Sequence, residues 1–136
     1  MVHIKVHHVG FLTKDIKSAI KGFRDMSAGL VTVEKPTTWD EIRKIYIAFI
    51  FMGDYRIEII EPDRESVYYP LLKKFKNSPY HFCFEVEDLE EEITRLQDGG
   101  YHVIENPLEA PCIENRRVAF LMGSHTGMIE LLEGGF

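Results

Sequence analysis

The chain has 136 residues, enough for one domain with a sizeable core and too few for two independent ones. A composition of 45% hydrophobic and 28% charged residues excludes disorder and fibrous repeats. Sixteen basic against twenty-two acidic residues leave a net charge of −6, which argues against a general nucleic-acid binder, because phosphate neutralisation needs clustered Lys and Arg.

Residues 3–12 alternate polar and apolar side chains, the period of a strand. Asp15 stands where a helix N-cap belongs, and Ile16, Ile20 and Phe23 follow at helical spacing. Lys35-Pro36 marks an irregular connection, and a strand hairpin is expected to turn at Gly53. Residues 63–79 join this half to the next; Leu71, Leu72 and Phe75 within them predict a short helix. Tyr80 to Val86 reads as a strand, Asp88 as a second N-cap, and Leu89, Ile93 and Leu96 as the apolar face of a second helix. Gly99-Gly100 supplies its left-handed stop. Asn106-Pro107 is a further irregular connection, and Gly123 a second hairpin turn. The order is β-α-β-β-β, twice: a first module over about 3–62 and a second over about 80–134, within a single domain 1–136.

The two halves repeat in sequence as well as in pattern. His8 meets His81, Phe11 meets Phe84, Asp15 meets Asp88 and Ile20 meets Ile93 at an offset of 73. Ala48-Phe49 meets Ala119-Phe120 at 71, and Ile57-Glu58 meets Ile129-Glu130 at 72. The repeat singles out two imidazoles and two carboxylates at equivalent places. Taken singly, an Ile-Glu-Ile triplet is what a half-buried strand with its glutamate in water would show, and a lone His8 would read as a hydrogen-bonded core histidine. Taken jointly, they can converge if the modules pack about a pseudo-twofold. Nitrogen with hard oxygen ligands suits one divalent first-row metal, with coordination positions left for water or substrate. Alternation sends His7 to the opposite face from His8, so the repeat selects His8.

The His7-His8-Val9-Gly10 start, the YHFCFEVED stretch from Tyr80 and the paired strands IEIIE and IELLE resemble the vicinal oxygen chelate superfamily, which includes glyoxalases, bleomycin-resistance proteins and dioxygenases. The likeness runs from Val6 to Glu133. It implies an α+β fold in which tandem βαβββ modules form a curved mixed sheet around a metal. It also implies His8, Glu58, His81 and Glu130 as ligands to one ion: cobalt, nickel, zinc, manganese or magnesium. Within the superfamily the chain resembles methylmalonyl-CoA epimerase and glyoxalase I (lactoylglutathione lyase). The His-Glu-His-Glu set is that of bacterial glyoxalase I, whereas many epimerases carry Gln at the position of Glu58; the short length and the RRVAFLMGSHTGMIELLE ending look more like the epimerase.

Both reactions begin by removing a proton from carbon beside a carbonyl, which needs strong electrostatic support for the developing enolate. The resemblance gives a metal-proximal glutamate the role of base, with Glu130 the first choice and Glu58 its duplicate. Asp40 and Glu41 lie near a place for a further acid, but a solvated loop charge is the simpler reading of either. The implied substrates are an acyl-CoA or a glutathione thioester or hemithioacetal. Lys73, Lys74 and Lys76, with Arg43 and Lys44 or Arg116 and Arg117, are candidate phosphate contacts, though charges at element ends are usually solvated. Trp39, Tyr46, Tyr55, Tyr68 and Tyr69 are candidates for an acyl pocket, against the commoner role of strand aromatics in a core. Cys112 stands where related epimerases have a glycine-rich loop, with no partner histidine to make it a nucleophile.

A metal-free binding protein of the bleomycin-resistance type and an extradiol dioxygenase are the rivals from other classes. The first usually lacks the ligand set, and the second needs only two histidines and one carboxylate. No apolar run approaches the length of a membrane span, and the N-terminal residues lack the pattern of a signal peptide. Cys83 and Cys112 are too few for a disulfide framework, so a reducing cytoplasm is the expected compartment. Exposed sheet edges make a homodimer the expected assembly.

Overall fold

The computed structural model describes residues 4–136; His3, the expected first strand residue, lies outside them. Among the described residues are eight strands and three α-helices, in the order β-α-β-β-β, a short helix, then β-α-β-β-β. The chain is α+β and divides into two compact units: His8–Tyr80, and His81–Phe136 together with the N-terminal stretch up to His7.

In the unit His8–Tyr80, β1 (Ile4–Leu12, from His8 onward) leads into α1 (Ile16–Met26), then β2 (Thr32–Asp40), β3 (Ile45–Met52) and β4 (Tyr55–Pro62). The strand order is β2-β3-β4-β1, with β1 and β4 parallel and the remaining pairs antiparallel. Helix α1 starts where the sequence places its cap: the Asp15 carboxylate accepts the Lys17 N–H at 3.1 Å. Its apolar stripe packs on Ala48, Ile50, Ile57 and Ile59, with Phe11, Ile20 and Phe23 closing the cluster. The joining segment contains the expected short helix, α2 (Leu71–Phe75).

The second unit repeats the scheme with β5 (Ser78–Val86), α3 (Leu89–Asp98), β6 (His102–Ala110), β7 (Arg116–Gly123) and β8 (Gly127–Glu133), in the order β5-β8-β7-β6. Asp88 caps α3 by accepting the Glu91 N–H at 3.0 Å. Gly100, at φ +99°, takes the left-handed position just past the helix end, which a Cβ would strain. Val86, Leu89, Ala119, Leu121, Ile129 and Leu131 form the core beneath α3.

Two local expectations are corrected. Pro36 and Pro107 lie inside β2 and β6, where connections were expected. Both strands end their unit's strand order and slip register twice around these residues, between Val33 and Thr38 and between Val103 and Leu108. A proline's missing N–H is tolerated at such bulges. The second hairpin turns after Gly123, not at it: Gly123 closes β7, and the left-handed residue is Gly127 at φ +71°. Gly123 is required for a different reason, since a Cβ there would run into the Tyr101 ring.

Candidate functional site

Each unit builds one buried His–Glu pair, and builds it the same way. In the first, β1 and β4 run parallel with Gly10 opposite Glu58, so His8, two residues earlier, shares the glutamate's face. His8 Nε2 lies 3.2 Å from Glu58 Oε1. Phe49 sits opposite Glu58 on β3, and its ring meets the His8 imidazole nearly edge-on, at 5.5 Å between centroids and 79°. In the second unit, β5 and β8 run parallel with Cys83 opposite Glu130, and His81 Nε2 lies 3.0 Å from Glu130 Oε1. Phe120 takes the place of Phe49, at 5.2 Å and 89° from His81.

Burial decides between the two readings of the glutamates. Ile57 and Ile59 enter the core beneath α1 while Glu58 points to the other face, as alternation requires. That other face is not wet. His8 is 1% exposed, Glu58 4%, His81 3% and Glu130 3%, so a carboxylate in water on a half-buried strand is excluded for both. A buried carboxylate costs several kcal/mol unless a partner is held against it, on the order of the cost of any unpaired buried ion. Here the partner is an imidazole nitrogen.

The donor set suits a divalent cation. Two ligand atoms bonded at about 2.1 Å and at right angles lie about 3.0 Å apart. The 3.0 and 3.2 Å separations match an imidazole nitrogen and a carboxylate oxygen held side by side. In each unit the pair, His8 with Glu58 or His81 with Glu130, offers one nitrogen and one oxygen donor of that kind.

The remaining candidates separate clearly. Asp40 is not a solvated loop charge: it is 1% exposed, and Arg43 Nη1, itself buried, donates to it at 3.0 Å. The Arg43 N–H bonds the same carboxylate, and its carbonyl accepts from the Ser66 hydroxyl at 2.7 Å, which pins the β2–β3 turn to the joining segment. This buried network carried no sequence signal beyond the three-residue spacing. Glu41 is exposed; the Trp39 indole N–H and Lys44 hold its carboxyl below its ordinary value. Trp39, Tyr46 and Tyr55 are exposed rather than core, the Trp39 and Tyr46 rings meeting at 4.7 Å between centroids with a 53° tilt, while Tyr68 is buried. Arg116 is paired with Glu85, and Arg117 with Glu90 and Glu133. Cys83 and Cys112 are both buried. Phe49 and Phe120 are the site residues the sequence reading missed, although the repeated Ala-Phe dipeptide marks them.

A family model for the glyoxalase/bleomycin resistance protein/dioxygenase superfamily matches residues 7–120. The chain belongs to this superfamily. Solved structures that share the glyoxalase-like fold include a hypothetical protein from Bacillus halodurans, at 22% identity and a TM-score of 0.83 over 98% of this chain and 96% of that one. Methylmalonyl-CoA epimerase from Mycobacterium tuberculosis superposes at 0.78 with 22% identity, over 96% and 88%. The Streptomyces coelicolor epimerase, solved with 2-nitronate-propionyl-CoA, superposes at 0.80 with 18% identity, over 97% and 98%. No curated protein matches the sequence significantly. At these identities the likeness to solved structures establishes the superfamily fold. No helix among the described residues is long and apolar enough to cross a membrane.

Proposed function

We propose that the chain is a metal-dependent epimerase that removes and returns the proton beside the carbonyl of an acyl-CoA thioester of the methylmalonyl type. The observation that carries this reading is the doubled, buried His–Glu pair, one in each module. His8, Glu58, His81 and Glu130 would hold one divalent ion, with the two modules (about 3–62 and 80–134) acting as a single domain. A divalent ion bound there would supply electrostatic support for the negative charge that develops on the carbonyl oxygen. Glu130 takes that proton from the substrate carbon and delivers it back, and Glu58, its duplicate, serves the opposite side. Phe49 and Phe120 hold the imidazoles in place by edge-on packing and keep water from the carboxylates. The protein works as a homodimer in the cytoplasm.

Glu58 favours a second reading, a lactoylglutathione lyase acting on a methylglyoxal–glutathione adduct, because bacterial glyoxalase I has a carboxylate where many epimerases have an amide. Both readings are tested on the purified protein after metal analysis. Deuterium incorporation from solvent into a methylmalonyl thioester supports the epimerase. Conversion of the hemithioacetal without such exchange supports the lyase. A protein that binds no divalent metal and does neither is a binding module.

A further inference from the structure

At the end of β4 in the unit His8–Tyr80 lies a cleft of about 440 Å³, within the size range of small-molecule sites. Lys14, Lys73 and Lys76 line it, together with Asn77, Tyr69 and Leu72. Three ammonium groups around one cavity stand out on a chain with a net charge of −6. Among the described residues none of the three is in an ion pair, unlike Arg43, Arg116 and Arg117. One carboxylate, Glu61, also lines the cleft, and it is engaged by the Ile16 N–H at 3.0 Å. The Asn77 side-chain oxygen accepts from Thr13 and from the Lys14 N–H, which leaves its amide NH₂ as a donor.

Lys76 supplies a second, independent observation. It ends α2 at φ 50°, ψ −134°, a conformation that glycine adopts freely and a lysine adopts only with strain. A glycine would suit the backbone better, so the side chain is what this position retains.

The cleft lies at the end of the strand that carries Glu58. Alternation along β4 puts Glu58, Ile60 and Pro62 on one face, and Pro62 lines the cleft. Four residues of strand span about 13 Å. The extended pantetheine arm of coenzyme A is longer than that.

We propose that this cleft binds the phosphate-bearing adenosine end of coenzyme A, with Lys14, Lys73 and Lys76 on the phosphates and Tyr69, Leu72 and Pro62 against the base. The assignment rests on the acyl-thioester reading above and adds where the coenzyme is held. The test is calorimetric titration of the full-length protein with coenzyme A, 3′-dephospho-coenzyme A, pantetheine and inorganic pyrophosphate, in the wild type and in Lys73→Ala and Lys76→Gly. No turnover is involved, so the outcome is separable from the epimerase reading, which deuterium exchange tests. Coenzyme A is expected to bind more tightly than its dephospho form and far more tightly than pantetheine. Each substitution is expected to weaken it about fivefold, the upper range for a single exposed charge. Lys76→Gly is also expected to raise the melting temperature by about 3 °C as backbone strain is relieved, a gain in stability with a loss of binding. Coenzyme A binding that ignores both lysines overturns the proposal, as does pyrophosphate binding equal to that of coenzyme A. Lysine-dependent binding in a protein without exchange activity sustains the cleft and rejects the epimerase.

Discussion

Glu130→Gln probes the site with the least disturbance to packing. The amide has nearly the shape of the carboxylate it replaces, so no cavity forms at a residue that is 3% exposed. A charge-assisted hydrogen bond at 3.0 Å to His81 becomes a neutral one. That exchange reduces the bond from about 2 to about 1 kcal/mol, a melting shift of about 3 °C in the metal-free protein. The effect on chemistry is expected to be far larger. An amide cannot accept the substrate proton, and loss of a general base costs about a hundredfold to ten-thousandfold. Proton NMR of a methylmalonyl thioester in deuterated buffer reads the exchange rate directly, and metal analysis of the same sample reads ion retention. Exchange within tenfold of wild type, on a variant that keeps its metal, would refute the assignment of Glu130 as the base.

Removing divalent metal with a chelator should abolish exchange, and restoring it at about a hundred times its dissociation constant should stabilise the fold by about 2.7 kcal/mol, seen as a rise in melting temperature; no such rise in either direction would reject a bound ion. Asp40→Ala leaves Arg43 buried without its carboxylate and should cost about 3–5 kcal/mol by urea denaturation, while replacing both residues by apolar ones should recover most of the loss. A cost below about 0.5 kcal/mol for Asp40→Ala would show the pair to be dispensable. The Arg117 guanidinium beside Glu90 holds that carboxyl below its ordinary 4.5. A carboxylate with a lowered folded-state pKa stabilises the fold above that ordinary value and loses its effect as pH falls through the lowered one. Melting curves of wild type and Glu90→Gln should therefore differ modestly at neutral pH and converge in acid, and a constant gap would contradict the pairing.

Helix starts were legible in the sequence because their causes are local. Asp15 and Asp88 satisfy N–H groups two and three residues away, and the apolar spacing of Ile16, Ile20 and Phe23 fixes which side of α1 turns to the sheet. The repeat carried further still. It selected His8 over His7 and matched Glu58 to Glu130, since a duplicated unit puts equivalent residues in equivalent strands.

Tertiary structure decided what depends on neighbours remote in the chain. Alternation showed that Glu58 faces away from Ile57 and Ile59, but only the structure shows that this face is covered, with Phe49 opposite and His8 beside it. Pro36 and Pro107 read as breaks because proline cannot feed a ladder, yet β2 and β6 stand last in their units' strand order, a position set by pairing and not by composition. Asp40 and Arg43 looked like a solvated turn because their charges are local, whereas their burial comes from Ser66 and the joining segment about two dozen residues on. Residue identity and period determine which atoms are available and which way they point. Whether those atoms meet water or one another is a property of the folded surface around them.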